Sequence, residues 1–594
     1  MVVLGHRHDQ RWLAGNFRQL PEHFRKPVAT RYKKIYPQSR RDANTLLRET
    51  VGVVTGGSGR MASNDDELCA WAAARAKACR FIKARADDLV NAFIDLYHYV
   101  SKLGFIPEGS EEKKRSLIGA VARMCCERWW RRQVRKKHGR NVEAAAIKIG
   151  LVNRRAGIYC SDETKERRRQ QRSRNLRMLE SCLAVNELDQ SYTLKELADL
   201  SVSNPVIRRG EFMTRIAGFS QYAENNDLAC EFYTWTCPSR MHYVSKKYDG
   251  TTPVEAQQYL CRQWAKARAA MSRAGVTVFG FRVAEPHHDG TPHWHMMFFM
   301  DKGRCDDVRA ILERYALQVD GGEKGAEKYR FDAKSIEPGK AAGYLAKYIS
   351  KNIDGFGLDY VDEDTTGRRD PMECARRVDA WASTWGIRQF QQVGGPSVSV
   401  WRELRKVRDE QAGAVEAVRY CADQGNWFGF MREMIKQPVR LLKCWSDKPG
   451  AYDEPVGDRV IGVECGDVML VTRVHEWRVE RGGNTSGQIL LGVEAAGVGD
   501  KGASMVENES ATEGMAGRSV GMGAHGNVCA FLSEGEAVAP WSSVNNCTGV
   551  RYEANGGESK DGAGGRSKKV ICDKGSGQIF EGANTGRIRG APTG

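Results

Sequence analysis

Between Glu231 and Lys351 the hydrophobic period switches between 2 and 3.6 in an order that few folds can accommodate. EFYTWT (Glu231–Thr236) alternates as a strand, Val254–Ala274 repeats as an amphipathic helix, and Val276–Glu285 reads as a second strand. Pro292–Met300 is a third strand, placed after the turn signal Asp289-Gly290. A helix over Asp306–Leu317, a strand near Tyr329–Ile336 and the helix KAAGYLAKYISKNI complete the run. The order βαββαβ with one appended helix is the ferredoxin-like or RRM-like split motif of an α+β fold.

A chain of 594 residues exceeds one ordinary core, so further units flank this one. Residues 1–64 mix charges with the run Gly56-Gly57-Ser58-Gly59 and show no sustained period, which predicts a variable arm. Residues 65–210 carry long amphipathic patterns and a capping box at Thr193 and Glu196, so they read as a helical basic region. Trp129-Trp130-Arg131-Arg132 and Arg167-Arg168-Arg169 stand out there, either as solvated helix faces or as phosphate contacts with stacking surfaces for bases. The unit built on this run is assigned to 211–410 and a helical and β extension to 411–483. Gly, Ser and Asn dominate 484–594, a composition that buries too little apolar surface to order itself and predicts a largely disordered tail.

Side chains alternate faces along a strand, so His293 and His295 point together while Trp294 points away. An isolated His-x-His is a weak metal signal, but Glu285 ends the preceding strand. An odd-length connection centred near Asp289 or Gly290 brings its carboxylate to the same face. Two imidazoles and a carboxylate suit Mg²⁺ or Mn²⁺ with positions left for phosphate oxygens. His287 and His288 compete for the third ligand position, although a turn favours solvent exposure, proton transfer or phosphate contact for them. In the last helix Tyr344, Lys347, Tyr348 and Lys351 form one stripe, with Ala342, Leu345, Ala346 and Ile349 on the face expected to pack on the sheet.

Three motifs, FYTWTCPS (232–239), AEPHHDGTPHWHMMFF (284–299) and GYLAKYISK (343–351), together resemble the bacteriophage replication gene A proteins, rolling-circle initiators of the HUH endonuclease superfamily. The resemblance is strong over 211–405, including GIRQFQQVGGPSVSVWRELR, and its tyrosine pair matches the two-tyrosine branch. It implies Glu285, His293 and His295 as metal ligands and Tyr344 and Tyr348 as nucleophiles that hold a 5′-phosphotyrosine while a 3′-hydroxyl is released. Lys347 and Lys351 are then placed to stabilise the phenolate or the phosphate, whereas Thr234 and Thr236 read as positioning residues. Single-stranded and origin DNA are the expected partners, with a host replicative helicase and polymerase, since no G-x-x-x-x-G-K-[ST] loop is present.

The net charge of +17 fits a polyanionic partner. No run approaches the roughly 20 apolar residues of a membrane span, so a cytoplasmic protein is expected. The 17 cysteines contain no C-x-x-C pair, which argues against a zinc ribbon or a dithiol redox site. Competing readings are a transposase or mobilisation relaxase with the same chemistry, a hydrolase in which the ion activates water, and a DNA-binding protein without catalysis.

Overall fold

The computed structural model describes residues 7–55, 65–109, 116–357, 370–407, 414–481, 570–572 and 579–581. The first segment is not an irregular arm. Helices α1 (Arg7–Gln19), α2 (Glu22–Ile35) and α3 (Arg40–Thr55) pack together, and Leu20, Phe24, Val28, Tyr32, Leu47 and Val51 are buried in the same apolar core as one face of the main sheet.

Helices α4 (Asp65–Arg85), α5 (Leu89–Lys102), α6 (Leu117–Met124), α7 (Glu127–Lys148) and α8 (Asp162–Ser181) form the expected helical region. Its tryptophans are not stacking surfaces for bases. Trp129 is 3 % and Trp130 0 % exposed, and their indole N–H groups donate to Glu108 Oε1 and to the Met124 carbonyl. The indoles fill the core between α4 and α7 because a large aromatic with its N–H paired is most stable buried. The arginine triplet is largely engaged too: Arg167 donates to Gly139 O, Arg168 pairs with Asp379 and Arg169 with Glu166.

A hairpin of β1 (Cys182–Asn186) and β2 (Ser191–Thr193) precedes α9 (Leu194–Asp199), which opens on the expected capping box of Thr193 and Glu196. Helix α10 (Pro205–Asn225) follows, with Asn204 as its cap and Pro at its first position, where the missing N–H costs nothing.

The central unit runs β3 (Ala229–Trp235), α11 (Pro253–Arg273), β4 (Phe279–Pro286), β5 (Pro292–Met300), α12 (Cys305–Ala316), the short α13 (Ala326–Tyr329), β6 (Phe331–Ile336) and α14 (Ala341–Ile353). Each element lies within a few residues of the position its period marks. After α15 (Pro371–Trp385), β7 (Phe390–Val393) joins the edge, giving a five-stranded antiparallel sheet ordered β6-β3-β5-β4-β7. Both faces are covered. Tyr233, Trp235, Trp294, Met296 and Phe298 pack with α11 and α12, whereas Phe232, Phe281, Val283, Met297 and Phe299 pack with α10 and α14.

Helices α16 (Val398–Leu404), α17 (Ala414–Asp423) and α18 (Trp427–Lys436) close the second core, and β8 (Arg440–Pro449), β9 (Pro455–Cys465) and β10 (Val468–Val471) make a separate sheet. Strand β11 (Trp477–Arg481) returns to pair with β1, so the described residues 414–481 are joined to the region before 210. Of the tail expected to be disordered, only the paired strands β12 (Val570–Cys572) and β13 (Ile579–Glu581) are described; the remainder of 484–594 lies outside the described residues. Among the described residues no helix is long and apolar enough to cross a membrane.

Two predictions follow from this packing. Gly280 lies at φ 150°, and a Cβ there would stand 2.0 Å from the Met297 carbonyl oxygen of the paired strand. Gly280→Ala should therefore cost about 3 kcal/mol in urea denaturation; a loss below about 1 kcal/mol would show that the β4–β5 contact relaxes. Burial, aided by Arg167, pushes His138 on α7 down to about 4. The unfolded chain, with a histidine pKa of about 6.5, takes up the proton first, so this contribution to stability is full above pH 6.5 and declines as pH falls toward 4. His138→Leu should flatten the difference between melts across that window, and an unchanged slope would remove His138 as its source.

Candidate active site

Glu285 pairs with His293, and Pro286 with Pro292, across β4 and β5. Directly opposed residues share a face, so one carboxylate and, through the two-residue period, both His293 and His295 stand together over the α10 and α14 side. The five-residue connection His287–Thr291 sets that register. Gly290 turns it at φ 85°, and Asp289 Oδ1 accepts the Thr291 N–H at 3.0 Å.

One donor atom from each of Glu285, His293 and His295 lies within 4.8 Å of the others. The two Nε2 atoms are 3.0 Å apart, the spacing of neighbouring ligands on one ion with bonds of about 2.1 Å. Glu285 Oε2 is 3.7 Å from His295 Nε2. Thr234, the register partner of His295 on β3, brings its Oγ1 to 3.2 Å from Nδ1. An Nδ1–H donated to Thr234 leaves the Nε2 lone pair facing Glu285 and His293. Burial, reinforced by His287, His295 and Lys351, holds His293 well below the usual histidine range, so it is a neutral donor. Such a set fits a small divalent cation.

Helix α14 lies over this cluster. Tyr348 has its ring 4.5 Å from that of His295 and 5.2 Å from Phe232; Tyr344 is 4.7 Å from Phe232 and 6.0 Å from Tyr348. The stripe expected to face outward does so only in part. Lys347 is exposed, but both tyrosines are half-buried against β3, and Ala342 and Ala346 are half-buried as well. Lys351 departs furthest from expectation: it is buried, and its Nζ donates to Glu285 Oε2 at 3.1 Å. A cation in that position neutralises a carboxylate that has lost its water. It pairs with Glu285, where the sequence suggested a phenolate or phosphate contact.

Several functional neighbours escaped the linear reading. Asn352 Nδ2 donates to Glu285 Oε1 and, at 2.6 Å, to the Tyr348 carbonyl, so the tyrosine helix is tied to both oxygens of the carboxylate. Its i, i+4 relation to Tyr348 was the available signal. Gln389, before β7, reaches Asn352 Oδ1 at 3.5 Å and had no local signature. His287 is half-buried, its ring 4.0 Å from His293 and 5.1 Å from His242, and His288 is half-buried beside it. Neither falls in the group that converges with Glu285. Burial alone would raise Asp289, but His242, with Nδ1 3.3 Å away, and His287 overcome it and hold the carboxyl below the usual range.

The turn is clamped from distant parts of the chain. Trp381 on α15 donates to Gly290 O at 2.8 Å, Thr291 Oγ1 donates to Met241 O, and the Tyr159 N–H donates to His288 O. Tyr159, between α7 and α8, is fully buried at φ 70°, a strained backbone for a bulky residue, and its ring lies 5.8 Å from Lys351 Nζ.

A family described as the bacteriophage replication gene A protein matches residues 75–356, which contain the acid, both histidines, both tyrosines, Lys351 and Asn352. The chain is 38 % identical over 403 residues to a probable replication protein P12 of Pseudoalteromonas phage PM2, covering 65 % of this chain and 62 % of that one. It is 38 % identical over 399 residues to the replication gene A protein of Escherichia phage P2, covering 61 % and 52 %. A probable replication endonuclease from a prophage-like region of Salmonella typhi is 32 % identical over 424 residues, covering 64 % and 52 %. The chain thus spans between about half and two thirds of the length of these curated relatives. No solved structure matches.

Manganese affinity, read from the loss of the free-ion EPR signal, should fall about 10- to 100-fold in Thr234→Val and in Asn352→Ala, because each removes a hydrogen bond that orients a ligand. Wild-type affinity in both variants would mean that neither side chain positions the cluster.

Proposed function

We propose that this chain is a metal-dependent DNA-nicking and strand-transferring enzyme that initiates phage rolling-circle replication, an HUH endonuclease of the two-tyrosine branch. Its central sheet with α11, α12 and α14 is read as the ferredoxin-like nuclease fold of that superfamily. The carrying observation is the meeting of Glu285, His293 and His295 within 4.8 Å, with the Tyr348 ring 4.5 Å from His295. Similarity to proteins named for replication gene A and for replication endonucleases supports the biological setting.

A Mg²⁺ or Mn²⁺ ion held by Glu285, His293 and His295 would polarise the scissile phosphate. The phenol oxygen of Tyr344 or Tyr348 attacks phosphorus in line; the bond to the 3′ oxygen breaks, that oxygen leaves as a hydroxyl with a proton, and the 5′ phosphate stays on tyrosine. Lys347, exposed beside the pair, is free to meet the charge that develops on the phosphate oxygens. Lys351 and Asn352 each donate to one oxygen of Glu285 and hold it in place, so they act as positioning residues. Rejoining reverses the step, with a 3′-hydroxyl attacking the phosphotyrosine, and needs no nucleotide. Two phenols on one helix can take turns, the second cutting a regenerated origin while the first still holds its strand. Origin duplex binding falls to the basic helical region, and unwinding and synthesis to a host helicase and polymerase in the host cytoplasm.

His293→Ala and His295→Ala should each lower cleavage of a single-stranded origin oligonucleotide about a thousandfold or more, as chelation should. Tyr344→Phe and Tyr348→Phe should keep some nicking yet fail at circle release, and the double variant should give no protein-linked DNA on a denaturing gel. Cleavage without any adduct would replace this reading with a metal-activated water mechanism.

A further inference from the structure

The sheet face that carries the His–Glu cluster continues past His295 to the outer strand, and there it is open. His295, Thr234 and Asp332 are register partners across β5, β3 and β6, so the three share that face. Lys334, two residues on, shares it too and lies opposite Phe232, the ring against which both Tyr344 and Tyr348 pack. The alternate residue Phe331 turns to the other face, where it stacks on Tyr233. On β5 and β3 the cluster's face is buried or half-buried, whereas Asp332 and Lys334 on β6 are exposed.

The segment that leads into β6 adds an aromatic ring. Tyr329, on α13, is 69 % exposed, and Lys328 Nζ lies 5.3 Å from its ring centroid. Its backbone is tied to the catalytic end of β3: Thr236 Oγ1 donates to the Tyr329 carbonyl at 2.9 Å, and the Thr236 N–H to the Arg330 carbonyl at 2.9 Å. Thr236 stands two residues along β3 from Thr234, whose Oγ1 is 3.2 Å from His295 Nδ1. One open phenol ring and two lysines thus border the cluster, a single strand away from it.

A lone exposed tyrosine carries no meaning, but this one has a cation beside it and lies at the edge of the face that holds the nucleophiles. Unpaired bases stack on aromatic rings whatever their sequence, and the backbone that links them is met by positive charge. Asp332 Oδ2 holds Lys334 Nζ at 3.4 Å, yet both side chains are more than half exposed, and such a pair is given up at little cost when a phosphate arrives.

We propose that Tyr329, Lys328 and Lys334 receive the single strand beside the scissile phosphate, Tyr329 stacking one base and the two lysines meeting backbone phosphates. This rests on the nicking reading above.

The test compares full-length wild type, Tyr329→Ala, Tyr329→Phe and Lys328→Ala/Lys334→Ala, with Tyr420→Ala as a control for loss of an exposed tyrosine elsewhere. Affinity for a thymidine 30-mer is measured by fluorescence anisotropy over a salt series without divalent ion. Tyr329→Ala should bind about tenfold more weakly with the wild-type slope of log affinity on log salt, while Tyr329→Phe, which keeps the ring, stays within about twofold of wild type. The double lysine variant should lose about 0.7 of that slope for each lysine removed. A duplex of the same length, whose bases are already stacked, should bind Tyr329→Ala and wild type alike. Tyr329→Ala that binds the 30-mer as Tyr420→Ala does, equal losses on single strand and duplex, or a double lysine variant with the wild-type slope each overturn the surface. A wild type that binds through Tyr329 and the lysines yet gives no protein-linked product from a single-stranded origin oligonucleotide with manganese would sink the nicking reading and keep the surface.

Discussion

The register of one strand pair governs everything chemical in this molecule. Glu285 faces His293 because the connection between β4 and β5 has five residues, and a change of one would send the carboxylate to the opposite face. That register is over-determined. Gly280 lets the strands approach, Asp289 closes the turn, and Trp381, Met241 and Tyr159 hold the turn from outside. Three partners from separate parts of the sequence on one short turn indicate that the local conformation is not left to the hairpin alone, and the strained Tyr159 backbone is tolerated within that fixed surround.

The second constraint is electrostatic. Placing a carboxylate fully inside a protein is costly, and Glu285 is fully buried. The cost is met by Lys351 and Asn352, both on the helix that carries the tyrosines. The same contacts that hold the carboxylate therefore fix the distance between the phenols and the cluster. Site and helix are one mechanical unit, and Gln389 extends it to the edge strand.

The accessory regions are built around this unit. Helices α1 to α3 share a core with one sheet face, and β11 carries residues beyond the central unit back to β1. Trp129 and Trp130 in the basic region serve packing, whereas the outer half of α8 is largely exposed.

The linear pattern alone determined the strand and helix order of residues 229–353, the shared face of His293, His295 and Glu285, and the spacing of the two tyrosines. All are consequences of local periods of 2 and 3.6, which act between residues near in sequence. Tertiary structure alone decided that Lys351 pairs with Glu285, that Trp129 and Trp130 are core, that residues 7–55 are folded helices, and that Tyr159, Trp381 and Gln389 surround the site. The reason is that burial and partner choice for a charge or an indole depend on which surfaces meet after collapse. A helical stripe tells which residues travel together, but the neighbouring sheet determines which of them lose water.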